Sequence, residues 1–455
     1  MAALRREASV IPPETKFAQM GEINVAYQSF GSGPVDIMYV SNWVWAVDLI
    51  WDFPSTGWME ELGKTGRTIQ FDMPGTGSSD PIPNSQLGTL EKWMDTVEVV
   101  LDAEGVEKAV LIGQDFGGPM AMLFAAAHPE RVSSLVLIGT TARLYAAPDY
   151  PTGYPIETRE AGIEWWERIW GTGQQLRLTS PSLAQDEENI RLMARYERLA
   201  IKRGAIRELF SLIADIDVRP VLSSIHVPTL VLHREEDRWL SPDHGRFLAD
   251  NIPGARFVTV PGRDHMPWAG DVDRMIDEVR GFLGVAERSD RNVHDRILAT
   301  VLFTDIVSST EKAADLGDRR WSDLLDRHDS MVRTELDRWR GREVKATGDG
   351  FLATFDGPGK AISAATAISK GARKLGIDIR AGLHVGEVEL RGEDIGGLAV
   401  HAAARIMSNA GPGEILASST VKDLVIGSDT QFDDRGPQAL KGVPGEWRLF
   451  AVQRA

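Results

Sequence analysis

The chain has 455 residues, 43% hydrophobic and 25% charged, with a formal net charge of −16. That length suits roughly two or three domains, and the acidic balance argues against nucleic acid as a partner, although one nucleotide needs only a few local cations. The lack of cysteine excludes disulfides, thiolate zinc sites and cysteine nucleophiles. With no apolar run of spanning length and no apolar core in MAALRREASVIPPETKF, the expectation is a cytoplasmic protein with no membrane span and no signal peptide.

From Phe17 to about Leu283 short apolar runs alternate with helical stretches. VDIMYV (35–40), RTIQFD (67–72), AVLIG (109–113), SLVLIG (134–139), PTLVLH (228–233) and ARFVTV (255–260) read as strands of a parallel sheet covered on both faces. Residues 143–218, helical in pattern and rich in Trp and Tyr, read as a cap inserted between two strands. The domains expected are 1–284, a charged linker 285–296, and a second strand–helix series over 297–455.

Gly113-Gln114-Asp115-Phe116-Gly117 lies between a strand and a helix. This is the G-x-S-x-G nucleophile-elbow pattern with Asp in place of Ser. HREEDRWLSP ends a strand at Asp237, and VPGRDHMPWAGD sets His265 after the last strand, giving the order nucleophile, acid, base. Taken singly, Asp115 also suits a helix cap and His265 a structural loop.

With FDMPGTGSSD (71–80), these motifs resemble the α/β-hydrolase fold over roughly residues 17–284. An elbow aspartate is similar to that of epoxide hydrolases and haloalkane dehalogenases. The resemblance implies attack on carbon by the Asp115 carboxylate, then hydrolysis of the resulting ester by water that His265 activates, with Asp237 orienting the imidazole. Two features depart from those enzymes. Phe116 stands where dehalogenases carry a halide-holding Trp, and Tyr39–Ser41 lead into Asn42-Trp43 in place of the His-Gly of the oxyanion loop. Tyr145, Tyr150, Tyr154 and Tyr196 of the cap are candidates to protonate an epoxide oxygen. Trp43, Trp45, Trp51, Trp165, Trp166 and Trp170 suit a pocket for an apolar small-molecule ligand, and equally a packed core.

In the second half, LFTDIVSST (302–310) and VKATGDGFLATF (344–355) set Asp305 and Asp349 at strand ends. Asp305 precedes Ser308, Ser309 and Thr310, an N-cap and helix start; Gly348-Asp349-Gly350 reads as a hairpin turn. Two carboxylates so placed suit a hard divalent cation and a phosphate, whereas each alone reads as a cap or a turn residue. Lys345, four residues before Asp349, is expected on the same strand face by the period of two. GEDIGGLAVHAAARIMSNAGPG carries Asp394 in a turn, then His401 and Arg405 on one face of a helix that ends near Asn409. RGPQALKGVPGEW sets Lys441 between turn residues.

This constellation resembles the class III nucleotidyl cyclases over about residues 297–453. The resemblance implies a βαββαβ, ferredoxin-like α+β domain with an extra hairpin, following the capped α/β-hydrolase fold. It implies two Mg²⁺ or Mn²⁺ ions per site on Asp305, Asp349 and the Ile306 carbonyl. Lys345 and Asp394 would read adenine, Arg405 would meet charge on the α-phosphate, and Lys441 would hold the terminal phosphates. His401 stands where many cyclases carry a ribose-orienting Asn, and an imidazole can donate the same hydrogen bond. Guanine-specific relatives use Glu and Cys at the purine positions, so Lys345 and Asp394 favour ATP. The family's sites lie between subunits, which implies a homodimer. The function expected is an adenylate cyclase whose hydrolase-like half is regulatory or catalytic; the alternative is a nucleotide sensor with an inactive site.

Overall fold

A computed structural model describes residues 11–42, 44–83, 89–286, 296–392 and 394–453. The chain forms two compact units, each built on its own eight-stranded sheet. Most of the linker expected over 285–296 lies outside the described residues, between a helix that ends at Ala286 and a strand that starts at Arg296.

The first unit contains β1 (Lys16–Met20), β2 (Ile23–Phe30), β3 (Asp36–Val40), α1 (Ser55–Thr65), β4 (Arg67–Phe71), α2 (Leu90–Ala103), β5 (Ala109–Gln114), α3 (Gly117–Ala127) and β6 (Val132–Ile138). Four helices follow: α4 (Arg159–Ile169), α5 (Leu176–Thr179), α6 (Glu187–Ala200) and α7 (Ile206–Asp215). Then come β7 (Thr229–Arg234), α8 (Pro242–Asn251), β8 (Arg256–Val260) and α9 (Val272–Ala286). The sheet order is β1-β2-β4-β3-β5-β6-β7-β8. From β4 to β8 every pairing is parallel, as the continuous apolar runs predict. One edge of the sheet adds two strands that are not among the six runs. β1 and β2 form a hairpin that joins β4 antiparallel, its turn made at Gly21 with φ +62°. The helices α4–α7 fill the interval between β6 and β7, where the cap is expected.

β5 and β7 are buried along their whole length, so the groups that follow them leave the centre of the sheet. The chain passes from β5 to α3 through Asp115, whose φ of +49° is a left-handed conformation in a non-glycine residue. Such strain, worth about 1–3 kcal/mol, is kept where the surroundings enforce it. Here the glycines do so. A Cβ on Gly117 would stand 2.1 Å from the Ser41 carbonyl oxygen and 2.3 Å from that of Val40. One on Gly118 would stand 2.0 Å from Thr140 Oγ1. In the 71–80 turn, buried Asp72 accepts the Val47 and Ser78 N–H groups, each at 2.7 Å, and burial pushes its carboxyl up to about 8.

The second unit runs β9 (Arg296–Ile306), α10 (Ser309–Leu316), α11 (Asp318–Arg338), β10 (Arg342–Ala346), β11 (Gly350–Phe355), α12 (Pro358–Lys374) and β12 (Ile379–Arg391). It continues through β13 (Asp394–Gly396), α13 (Leu398–Ser408), β14 (Ile415–Ser418), α14 (Ser419–Leu424), β15 (Phe432–Ala439) and β16 (Glu446–Val452). The order β10-β11-β9-β12 is that of a βαββαβ ferredoxin-like sheet, and β14 with the β16–β15 hairpin extends it. Gly382 lets α13 lie close against β12: a Cβ there would meet Met407 N at 2.2 Å.

Substituting Gly117→Ala is expected to destabilise the first unit by about 2 kcal/mol, because only backbone stands in the way of the new methyl. Urea denaturation followed by tryptophan fluorescence checks this; an unchanged midpoint contradicts it.

Candidate functional sites

In the first unit three separate chain segments meet below the cap. Asp115 comes from the β5–α3 turn, Asp237 from the loop after β7 and His265 from the loop after β8. His265 Nδ1 lies 2.7 Å from Asp237 Oδ2, and its Nε2 lies 3.4 Å from Asp115 Oδ1. All three are buried. Asp237 Oδ1 accepts the N–H groups of Trp239 (2.8 Å) and Leu240 (3.1 Å), and His233 Nε2 stands 3.4 Å from Oδ2. The backbone N–H of His265 donates to the Thr179 carbonyl of α5, which ties the histidine loop to the cap. Asp115 Oδ1 and His265 Nε2, which face each other at 3.4 Å, make no hydrogen bond, and Asp115 also lines the cavity.

Burial opposes a charge on His265, but the flanking carboxylates outweigh it, Asp237 first and then Asp115, and its pKa is pushed up to about 10. Burial would raise Asp237; the charge on His265 and the hydrogen bonds from His233 and His265 hold it well below the usual carboxylate range. The environment of His265 thus favours the imidazolium form.

The cavity beside Asp115 is lined by Asn42, Trp45, Trp166, Trp170, Trp239 and Trp268, among others. Of the expected tryptophans, Trp45, Trp166 and Trp170 line it. Trp51 instead packs edge-on to Phe30, Trp165 packs on Trp166, and Trp43 lies outside the described residues. Trp239 and Trp268 were not expected, since they sit in the loops that also carry Asp237 and His265. The four cap tyrosines do not form an acid pair. Tyr145 donates to the Arg159 carbonyl, Tyr150 bonds Thr141 and His244, and Tyr154 donates to the Trp239 carbonyl. Tyr196 lines the cavity, but its hydroxyl donates to the Val44 carbonyl and accepts the Ala46 N–H.

In the second unit strand register sets the backbone of the Asp349 turn beside the end of β9 that carries Asp305. Gly350 pairs with Asp305 across β11–β9, and Ile306 N–H donates to the Asp349 carbonyl at 2.9 Å. On the other flank Arg380 pairs with Asp305 across β12–β9, and its guanidinium donates twice to Asp305 Oδ2, at 2.9 and 2.6 Å. Arg380 is the site residue that sequence reasoning missed. Its signal is its register opposite Asp305, 75 residues away, which no local motif reports.

The helix-start expectation changes in detail. Ser308 is the N-cap of α10 with φ +54°, but its side chain caps nothing. Ser309 Oγ donates instead to Asp349 Oδ2 at 2.6 Å. The same-face argument for Lys345 and Asp349 fails. Asp349 belongs to the turn, and a bulge between Glu343 and Lys345 shifts the alternation. Asp394 opens β13, paired with Arg391, rather than lying in a free turn, and its Oδ1 accepts the Ile395 N–H. His401 and Arg405 share the exposed face of α13, and Lys441 is exposed in the turn before β16. Lys345, His401, Arg405 and Lys441 have no side-chain hydrogen-bond or ion-pair partner among the described residues.

The donor set fits a hard dication. Asp305 and Asp349 supply oxygen donors alone, the kind that hard dications take, while the Arg380 guanidinium now holds Asp305 Oδ2. Among the described residues no group of three or more His, Asp or Glu is placed to hold a metal ion by itself. The remaining ligands would then be substrate oxygens and water. No helix among the described residues is long and apolar enough to cross a membrane.

Residues 50–268 match the α/β hydrolase fold family, and residues 292–454 match the adenylate and guanylate cyclase catalytic domain. The first half is 28% identical over 232 residues to a pimeloyl-[acyl-carrier protein] methyl ester esterase of Neisseria meningitidis, covering 50% of this chain and 86% of that protein. It is 44% identical over 243 residues to a 2-hydroxymuconate semialdehyde hydrolase of Pseudomonas sp., covering 50% of this chain and 80% of that protein. A bromoperoxidase structure from Bacillus anthracis shares the fold, with a TM-score of 0.51 and 18% identity over 60% of this chain and all of that one.

A raised histidine pKa contributes stability that is complete below about pH 6.5 and is lost as the pH climbs toward about 10. NMR of the imidazole nitrogens is expected to find His265 protonated at about pH 8, and Asp115→Asn is expected to move its titration downward. A neutral imidazole in the wild type at that pH contradicts the assignment.

Proposed function

The chain belongs to the α/β-hydrolase fold family through its first half and carries an adenylate and guanylate cyclase catalytic domain in its second, and from that premise we propose that the second half converts ATP to 3′,5′-cyclic AMP and pyrophosphate. The observation that carries the reading is that Asp305 ends β9 opposite Gly350, so that the Asp349 turn lies beside it, with the guanidinium of Arg380 against Asp305. When bound at Asp305, Asp349 and the Ile306 carbonyl, Mg²⁺ or Mn²⁺ supplies Lewis acidity for the ribose 3′-hydroxyl and the phosphates. The ribose 3′ oxygen forms a bond to the α-phosphorus, and the bond from that phosphorus to the pyrophosphate oxygen breaks. Lys345 and Asp394 select adenine, and His401 orients the ribose. Arg405 stabilises charge on the α-phosphate, while Lys441 holds the terminal phosphates. Arg380 holds Asp305 Oδ2 in place and supplies fixed positive charge beside the carboxylate that would take the metal.

The exposed and unpartnered state of Lys345, Arg405 and Lys441 supports a site completed by a second chain. Asp305→Ala and Arg405→Ala should each lose cyclic AMP production. Mixed in equal amounts after subunit exchange, they should recover about a quarter of wild-type activity, since half of random dimers are mixed and each has one intact site. No recovery contradicts the shared site; an active Asp305→Ala contradicts the metal role.

A second activity is favoured by the buried Asp115–His265–Asp237 arrangement. Asp115 attacks the alkyl carbon of an apolar ester, an ester to Asp115 forms, and the departing carboxylate takes the His265 proton. Loss of the Asp115 charge lowers the pKa of His265, and the neutral imidazole then accepts a proton from water that cleaves the new ester. With every cap phenol already engaged, an ester is favoured over an epoxide. A single turnover of benzyl butyrate in ¹⁸O water should place label in the Asp115 carboxylate. Turnover without label contradicts a carboxylate nucleophile, and no turnover leaves the first half a ligand-binding module.

A further inference from the structure

The charge and the walls of the first unit's cavity disagree with a purely apolar occupant. Trp45, Trp166, Trp170, Phe210, Trp239 and Trp268 present rings in several orientations. Trp166 stacks on Phe210 at 4.7 Å and 12°, meets Trp239 edge-on at 5.4 Å and 78°, and Trp45 tilts against Trp268 at 5.5 Å and 48°. Ring faces carry negative potential, and tryptophan attracts cations most strongly. The one acidic side chain on the lining is Asp115, only 4% exposed. Among the described residues no lysine, arginine or histidine lines the cavity.

Behind Asp115 the charge does not cancel. One imidazolium stands between two carboxylates, so the trio carries a net negative charge. Asp237 is met by two backbone N–H groups and two imidazoles. Asp115 Oδ1 accepts no hydrogen bond. Asp115 shares its one counter-charge, His265 at 3.4 Å, with Asp237, and Asp115 is the member of the trio that lines the cavity, so the excess of negative charge is met there, in surroundings where an under-paired ion is costly. A neutral guest would bury more apolar surface and leave that charge unanswered; an anionic guest would add to it.

We infer that the cavity takes an organic cation: an ammonium group on an apolar body, seated against the Asp115 carboxylate and held by the faces of the tryptophans. The inference rests on the reading of Asp115, His265 and Asp237 as one charged unit, and it names the substrate class for that site: esters that bear an ammonium group.

The test compares two probes of one shape on the full-length protein, acetylcholine and its neutral isostere 3,3-dimethylbutyl acetate, by quenching of tryptophan fluorescence. The expected result is about tenfold tighter binding of the cation. In Asp115→Asn, with an unchanged melting temperature as the check on folding, the preference should shrink to about twofold or less, because the carboxylate charge is gone while the rings remain. Equal or tighter binding of the neutral probe by the wild type overturns the inference, as does a preference that Asp115→Asn leaves intact. The two readings separate cleanly. Label in Asp115 from the neutral ester, with no cation preference, overturns this inference and leaves the carboxylate nucleophile standing. A cation preference without label supports this inference and removes the nucleophile.

Discussion

Asp305 ends a strand that is paired on both sides, and the guanidinium of Arg380 reaches it from β12 while β11 delivers Asp349 from the other flank. A half-buried carboxylate between two strands needs a cation, because the sheet has used the neighbouring backbone N–H groups in its own ladder. Strand register decides which cation arrives. Here it is Arg380, and the oxygen donors beside it are of the kind that a hard divalent cation takes. The position of Asp305 thus depends on the eleven-residue central strand that also holds the sheet together.

The first unit answers the same constraint differently. Asp115 is held at a strained turn whose neighbours leave no room for a side chain, and its counter-charge is an imidazolium rather than a guanidinium. The difference matters chemically. An imidazole can give its proton away once the carboxylate beside it is esterified, whereas arginine stays charged. Asp305 is thus paired with a permanent cation, and Asp115 with a titratable group.

Much of this was legible in the sequence where the signal is local. The six apolar runs of the first sheet, the G-x-D-x-G turn, the order Asp115, Asp237, His265 and the Gly348-Asp349-Gly350 turn all sit in short windows, and each appears where it was read. Pairings that depend on register were not legible. Arg380 looks like any charged strand residue until its partner strand is known, and the bulge beside Lys345 overrides the period of two. The β1–β2 hairpin escaped because polar residues interrupt it, as in KFAQM and INVAYQSF, unlike the continuous apolar runs of the parallel strands. The cap tyrosines were counted correctly as a set, but their phenol groups are used up by backbone carbonyls and by His244, and composition carries no trace of that.

The central claim is that the second half is an ATP-directed cyclase. Purified full-length protein supplied with equal ATP and GTP and Mn²⁺, its products resolved by mass spectrometry, tests this most directly. The account predicts 3′,5′-cyclic AMP as the main cyclic nucleotide, released with equimolar pyrophosphate. A predominance of cyclic GMP, or nucleotide bound without any cyclic product, contradicts it.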